Sequence, residues 1–384
     1  MWRHVASNAI TFLVVVSFLL GGLILWGKSE YNAAGPLDAA ICLQVKPGSN
    51  IKRVSRDLED QDAVSQGMIL RMGAEYTDKS GQLKAGSFLV PEGASMAEIV
   101  DIVTRGGAST CGTEVVYRIG VVASLVEVRE LDAASNKYIE IAEFDPAGDL
   151  RPPEYIEVRK DADTRYRVAM AEGVTSWQVI DMLKRFDVLS GELADVPAEG
   201  TLAPDSYEVR VDDTRASVVA RMAEAQVARL NEAWQNRADD LVIKTIEEAL
   251  ILASIIEKET GVPEERGQVA SVFSNRLRQG MRLQTDPTVI YGITKGEGIL
   301  GRGLRQSELR AETPWNTYVI TGLPPTPIAN PGKASLEAAV NPDTSDYVFF
   351  VADGTGGHAF ATTLEEHNRN VAAWRKIEAE RAKQ

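Results

Sequence analysis

With 384 residues, of which 44% are hydrophobic and 25% charged, the chain has the composition of a globular protein and the length for two or three domains. A formal net charge of −14 argues against nucleic-acid binding, because a phosphate-binding surface needs an excess of Lys and Arg. Two widely spaced cysteines and three histidines make no metal or redox motif, so neither a metal nor a cofactor is expected.

The first predicted element is an uncharged apolar segment, Ala9–Trp26. Its length of about 18 residues is enough to cross the hydrocarbon core of a bilayer as a helix. We therefore expect a cytoplasmic N-terminus over 1–8, a transmembrane helix over 9–27 and a linker over 28–38, with the rest of the chain outside the cytoplasm. A cleaved signal peptide is the competing interpretation, although its apolar core is normally shorter.

Three later segments share one pattern, in which a short strand leads through a turn into an amphipathic helix. The turns are Lys46–Asn50, Pro91–Ser95 and Ala171–Thr175, and Thr175 is predicted to cap its helix. The alternative is α+β structure of no particular kind. Between residues 113 and 167, alternating apolar and charged residues predict β-hairpins with a turn at 145–148.

Cys42 and Cys111 leave two possibilities open. An even cysteine count in an oxidising compartment permits one disulfide. Two unpaired buried thiols would look the same in the sequence.

The chain then becomes helical over 214–236 and 245–259, and the last third is rich in Gly, Pro, Asn and Thr, which is typical of long ordered loops. The second helix is apolar on all sides and ends in Glu257 and Glu259 before Gly261, a natural helix stop. Burial and the negative end of the helix dipole raise the pKa of such a carboxyl, as a general acid requires. The alternative is a solvated helix end with one carboxylate paired to Arg266.

Several runs in this half of the chain resemble the MltG (YceG-like) endolytic murein transglycosylases, and the resemblance covers about half the chain. They are Ala253–Gly261, Val269–Phe273, Asn275–Leu277, Gly280–Gly292, Pro314–Tyr318, Gly322–Pro325, Ile328–Gly332, Phe350–Gly354 and Gly357–Phe360, with Glu199–Gly200 and Pro204–Tyr207 upstream.

The resemblance implies an α+β fold: the transmembrane helix, small LysM-like and β-rich modules over 39–190, and a mainly helical catalytic domain over 191–384 with long loops and a lysozyme-like active-site helix. Aligning Glu259–Thr260 with the Glu-Ser pair of lysozyme-type transglycosylases makes Glu259 the catalytic acid and base, and Glu257 the less favoured neighbour. One carboxyl suffices where the MurNAc 6-hydroxyl closes a 1,6-anhydro ring and no water is consumed.

Further residues are expected to bind sugar hydroxyl and acetamido groups, and none is expected to bind a metal. They are Gln284, Thr285, Asp286, Asn316, Tyr318 and Asn330. Asp286 is also the best placed second carboxylate if the enzyme is a hydrolase.

The resemblance implies that the chain cleaves nascent peptidoglycan glycan strands and so terminates their elongation, with penicillin-binding synthases as partners. It implies a single-pass location in the bacterial inner membrane with the catalytic domain in the periplasm. The competing functions are a membrane-anchored peptidoglycan hydrolase and a non-catalytic glycan-binding scaffold.

Overall fold

The computed structural model describes residues 2–107, 109–161, 163–211 and 213–381. It is a mixed α+β structure, as the sequence predicted. The chain divides into two compact units. Unit 1 comprises Met1–Val115, Glu127–Glu143 and Arg151–Arg165, and unit 2 comprises Val116–Val126, Phe144–Leu150 and Tyr166–Gln384.

Unit 1 begins with a long helix, α1 (Trp2–Asn32). Within it, Ile10–Asn32 is long and apolar enough to cross a membrane by length and composition, and none of its most apolar window is buried inside the protein. The exposed apolar face agrees with the predicted anchor, because a core helix of a soluble protein would bury this surface.

The part of unit 1 that follows α1, up to residue 104, has the predicted strand and helix modules. Its elements are β1 (Ile41–Val45), α2 (Ile51–Asp60), α3 (Gly67–Tyr76), β2 (Gly86–Val90) and α4 (Met96–Thr104). Strands β1 and β2 pair antiparallel, with Leu43 opposite Phe88. Helices α2 and α4 begin at the predicted turns, where the side chains of Asn50 and Ser95 accept backbone N–H groups of the first helical turn.

A disulfide bond joins Cys42 to Cys111, with 5.8 Å between the Cα atoms. The bond resolves the two alternatives that the sequence left open. It links strand β1 to a segment 69 residues further along the chain.

The predicted hairpins between residues 113 and 167 are confirmed. The elements that follow the disulfide are β3 (Thr113–Ile119), β4 (Leu125–Asp132), β5 (Lys137–Phe144), α5 (Pro153–Val158), β6 (Arg165–Met170), α6 (Ser176–Arg185) and β7 (Ser206–Val209). The five strands form one sheet in the order β5-β4-β3-β6-β7. Thr175 caps α6 as predicted, in a reciprocal capping box with Gln178.

The remainder of unit 2 is mainly helical. Its elements are α7 (Arg215–Gln235), α8 (Ile246–Glu259), a 3₁₀ turn (Pro263–Glu265), α9 (Arg266–Arg278), α10 (Asp286–Thr294), α11 (Lys333–Val340), β8 (Phe349–Ala352), β9 (His358–Ala361) and α12 (Leu364–Arg381). Helix α8 packs against α7, α9 and α11. Leu252, Ile255 and Ile256 of α8 are fully buried in this core, so the C-terminal end of α8 has a fixed position.

Candidate active site

Helix α8 ends at Glu259, and the structure explains why it ends there. The next residue, Thr260, has an extended backbone with φ −138°, and its hydroxyl accepts a hydrogen bond from the Val262 N–H at 3.0 Å. Gly261, the predicted stop, does not adopt a left-handed conformation. The extended Thr260 leaves Glu259 as the last side chain of a rigid, buried helix.

Glu259 lines an open cavity of about 190 Å³ within unit 2. Four of the other predicted site residues, Gln284, Thr285, Asp286 and Tyr318, line the same cavity. The remaining lining residues were given no role from the sequence, and they are Arg276, Leu283 and Phe350. The structure therefore brings the predicted catalytic residue together with most of its predicted neighbours.

Thr285 connects Glu259 to the loop before α10. Its hydroxyl donates a hydrogen bond to Oε1 of Glu259, so this N-cap residue makes no side-chain hydrogen bond to its own helix. Its backbone N–H donates to the hydroxyl of Thr317 at 3.0 Å, and that hydroxyl lies 2.9 Å from the hydroxyl of Thr288. These buried threonines hold the loop against Glu259.

Gln284 lies in the same loop and has a left-handed backbone with φ 52°, which is uncommon for a residue with a side chain. Its backbone N–H donates to the Thr317 carbonyl at 3.1 Å. Such conformations cluster at functional sites.

Burial raises the pKa of the Glu259 carboxyl. The hydrogen bond from Thr285 lowers that pKa, the Asp286 carboxylate raises it, and the charges of His358 and Arg276 lower it. Burial is the largest of these effects, so the carboxyl is protonated to a higher pH than an ordinary Glu. A carboxyl with a raised pKa is better suited than an ordinary Glu to donate a proton and take one back.

Asp286 and Tyr318, which also line the cavity, are joined by a hydrogen bond. The Tyr318 hydroxyl donates to Oδ1 of Asp286 at 2.6 Å, and burial together with this carboxylate raises the pKa of Tyr318. Asp286 itself is exposed. It is available to a substrate, as either a hydrogen-bond acceptor or a second carboxylate.

Glu257 has a different environment from Glu259. Its Oε2 accepts hydrogen bonds from the Gly332 N–H at 2.9 Å and the Ser335 hydroxyl at 2.7 Å, at the N-terminus of α11. Arg266 lies 4.0 Å from Oε1, so the ion pair weighed for one of the two carboxylates falls to Glu257. These contacts give Glu257 a structural role.

Asn316 and Asn330, both predicted to bind sugar, are fully buried and lie outside the cavity. The Asn316 amide donates to the carbonyls of Glu308, Leu309 and Ala311. The Asn330 amide accepts from the Leu202 N–H and donates to the Val174 carbonyl, both at 2.9 Å. Their amides bind loop backbone, which needs such partners when it is buried.

No cluster of His, Cys, Asp and Glu side chains suited to a metal ion occurs among the described residues.

Comparison with known proteins finds relatives that share one name and one family. The model of the YceG-like family matches residues 43–373. An endolytic murein transglycosylase of Bacillus subtilis is 28% identical over 360 residues, which cover 91% of this chain and 89% of the relative. One from Streptococcus pneumoniae is 27% identical over 383 residues and extends further, since the match covers 96% of this chain and 65% of that protein.

A crystal structure of a YceG-like protein from Listeria monocytogenes is also similar, with 25% sequence identity and a TM-score of 0.46, over 86% of this chain and 98% of that one. The family match extends over most of the chain, from strand β1 to helix α12. The chain belongs to the YceG-like family.

Proposed function

We propose that this chain is an endolytic lytic transglycosylase of peptidoglycan, with Glu259 as its catalytic acid and base. The observation that carries the proposal is the position of Glu259, at the end of a buried helix and in a cavity with Gln284, Thr285 and Asp286. Family membership and relatives named endolytic murein transglycosylases support the substrate class.

In the proposed reaction, Glu259 first acts as an acid. It gives its proton to the oxygen that leaves C1 of MurNAc, and the C1–O bond to GlcNAc breaks. The raised pKa of Glu259 keeps this proton available. The resulting carboxylate then removes the proton of the MurNAc 6-hydroxyl while O6 bonds to C1, so Glu259 ends protonated and a 1,6-anhydro end remains. No water is consumed, and no second carboxylate is required.

Hydrolysis is the second candidate function. It is supported by the position of Asp286, a second carboxylate, in the same cavity as Glu259. A second carboxylate could activate a water molecule, which would leave a reducing end. The hydrogen bond from Tyr318 to Asp286 supports a binding role instead, because it already uses one carboxylate oxygen.

The remaining elements of the proposal concern the whole chain. Residues 9–27 anchor the protein once in the inner membrane, with 1–8 in the cytoplasm and the rest in the periplasm, so cleavage limits the length of strands made at the membrane. The order β1, α2, α3, β2 supports a LysM-like module within 39–190, and the buried helix α8 supports a lysozyme-like active-site helix within 191–384. Penicillin-binding synthases that supply nascent strands are the proposed partners.

The test uses the full chain in detergent micelles and un-crosslinked glycan strands, with the fragment ends identified by mass spectrometry. We expect anhydro-MurNAc ends from the unmodified chain and a loss of about 100-fold or more in rate for Glu259→Gln. Reducing ends that disappear in Asp286→Asn would instead establish a hydrolase. Binding of strands with no cleavage would favour a scaffold.

A further inference from the structure

Arg276 lies in the wall of the active-site cavity, on helix α9, and is 8% exposed. Its Nε donates to the Val348 carbonyl at 2.6 Å. Its Nη1 donates to the carbonyls of Leu283 at 2.8 Å and Arg282 at 3.2 Å. Three backbone acceptors therefore fix the plane of the guanidinium.

The third nitrogen of this group, Nη2, has no hydrogen-bond partner among the described residues, and Arg276 forms no ion pair with any of them. The charge of Arg276 is attracted by the Glu259 carboxylate and by the Phe349 ring, whose centroid lies 5.3 Å from Cζ, but neither group accepts a hydrogen bond from Nη2. Arg276 is also the only cation among the residues that line the cavity, whereas Glu259 and Asp286 are acidic. The cavity thus contains a fixed donor that lacks an acceptor.

We propose that Nη2 of Arg276 binds an oxygen of the 3-O-lactyl group of MurNAc, as a carboxylate in peptide-free strands and as an amide carbonyl in peptide-bearing ones. The assignment rests on the proposed function. To cleave after MurNAc and not after GlcNAc, the enzyme must distinguish the two sugars. They differ in the 3-O-lactyl group, which only MurNAc carries. An arginine donor is suited to both forms of the acceptor.

The other donors of the cavity are less suited to this role. The Thr285 hydroxyl is bonded to Glu259, and the Tyr318 hydroxyl is bonded to Asp286. The Gln284 amide is exposed and neutral, so it suits hydroxyl groups, which both sugars carry.

The experiment measures binding to the full chain with Glu259→Gln, in detergent micelles, by calorimetry. The ligands are GlcNAc-MurNAc tetrasaccharides that are peptide-free or carry stem peptides, and a chitin tetrasaccharide, which has acetamido groups but no lactyl group. We expect both MurNAc ligands to bind at least about tenfold more tightly than chitin, as one charge-assisted hydrogen bond allows. Equal affinities for chitin and the MurNAc ligands would overturn the assignment.

Variants then test the residue itself. Adding Arg276→Lys to Glu259→Gln keeps the charge but removes the planar guanidinium with its fixed N–H donors. It should weaken binding of both MurNAc ligands about tenfold and change binding of chitin less than about twofold. Arg278→Lys is the matched control, since Arg278 lies on the same helix and is exposed and bonded to Asp240. If Arg276→Lys weakens all three ligands equally, Arg276 only supports the loop, and the assignment is wrong.

The ligand comparison can overturn the assignment even if Arg276→Lys does not fold, because it needs no change at Arg276. Failure of the proposed function gives a different result. Absence of anhydro ends from the chain with Glu259 intact would refute the transglycosylase and leave the lactyl discrimination unaffected, whereas anhydro ends without discrimination would refute only the role of Arg276.

Discussion

Glu257 and Glu259 are two residues apart on one helix, and their side chains therefore point about 200° apart around its axis. One side faces the N-terminus of α11, where Glu257 accepts two hydrogen bonds. The other faces the cavity, where burial raises the pKa of Glu259. The two carboxylates of this helix are therefore expected to have opposite effects on the free energy of unfolding at high pH.

Glu259→Gln should increase the free energy of unfolding above the pKa of the folded-state carboxyl. A carboxyl with a raised folded-state pKa contributes stability that is complete below its unfolded pKa and is lost as pH rises through the folded pKa. The neutral amide removes this loss, so the gain should be present at pH 8 and absent at pH 4. Chemical denaturation at both pH values measures it.

Glu257→Gln is the matched control and should lower the free energy of unfolding by about 1 kcal/mol at pH 8. The amide weakens charge-assisted hydrogen bonds to Gly332 and Ser335 at the positive end of α11. A stabilising Glu257→Gln, or a destabilising Glu259→Gln at pH 8, would contradict the assigned roles.

Thr285→Val and Asp286→Asn should move the alkaline limb of the pH–rate profile in opposite directions. The Thr285 hydrogen bond lowers the pKa of Glu259, so its loss raises that pKa and keeps the acid protonated to higher pH. The Asp286 charge raises the pKa of Glu259, so its removal shifts the limb to lower pH. Rates of glycan-strand cleavage from pH 4 to 9 measure both shifts, and equal shifts of the same sign would refute Glu259 as the titrating acid.

At the scale of elements, the loop around Asn330 shows why polar loop residues are hard to interpret from sequence. Asn316 and Asn330 lie in segments that resemble the family, and amides in long loops suit sugar recognition. Buried loop backbone also needs donors and acceptors, and in the structure both amides supply these. A single sequence does not distinguish the two uses, because burial depends on how the loops fold back.

Asn330→Ala should lower the free energy of unfolding by about 2–3 kcal/mol, because the Leu202 N–H is left buried without a partner. Activity per folded molecule, measured at a temperature well below unfolding, should change less than about twofold. Asn341→Ala serves as the control, since Asn341 is exposed and, among the described residues, its amide bonds only to the Asn236 carbonyl. A loss of strand binding with unchanged stability would restore Asn330 as a binding residue.

Local signals predicted most of the elements. Thr175 and the apolar run of α8 were recognised because a cap and a buried periodicity lie within a few consecutive residues. Arg276, Leu283 and Phe350 were not recognised as cavity residues, because they come from α9, a loop and β8, and only tertiary structure brings them to Glu259. Their runs resemble the family, but no local pattern indicates which way their side chains point.

For the whole molecule, the apolar helix and the disulfide give independent indications of location. Helix α1 has an exposed apolar surface that a membrane would cover, and the Cys42–Cys111 bond is stable in an oxidising compartment. Both features belong to unit 1. The helix agrees with a single-pass anchor, and the disulfide supports the proposal that the following domain lies outside the cytoplasm.

The disulfide should stabilise unit 1 substantially. Closing a segment of 69 residues in the unfolded chain corresponds to about 4 kcal/mol in the chain-entropy description. We expect the double variant with Cys42→Ser and Cys111→Ser to lose protection against hydrogen exchange in β1 and β2 by up to about 10³-fold, which mass spectrometry of the full chain measures. A reductant should produce the same loss in the unmodified chain and none in the double variant. Equal protection in both oxidised proteins would mean that packing around Leu43 and Phe88 holds this sheet without the bond.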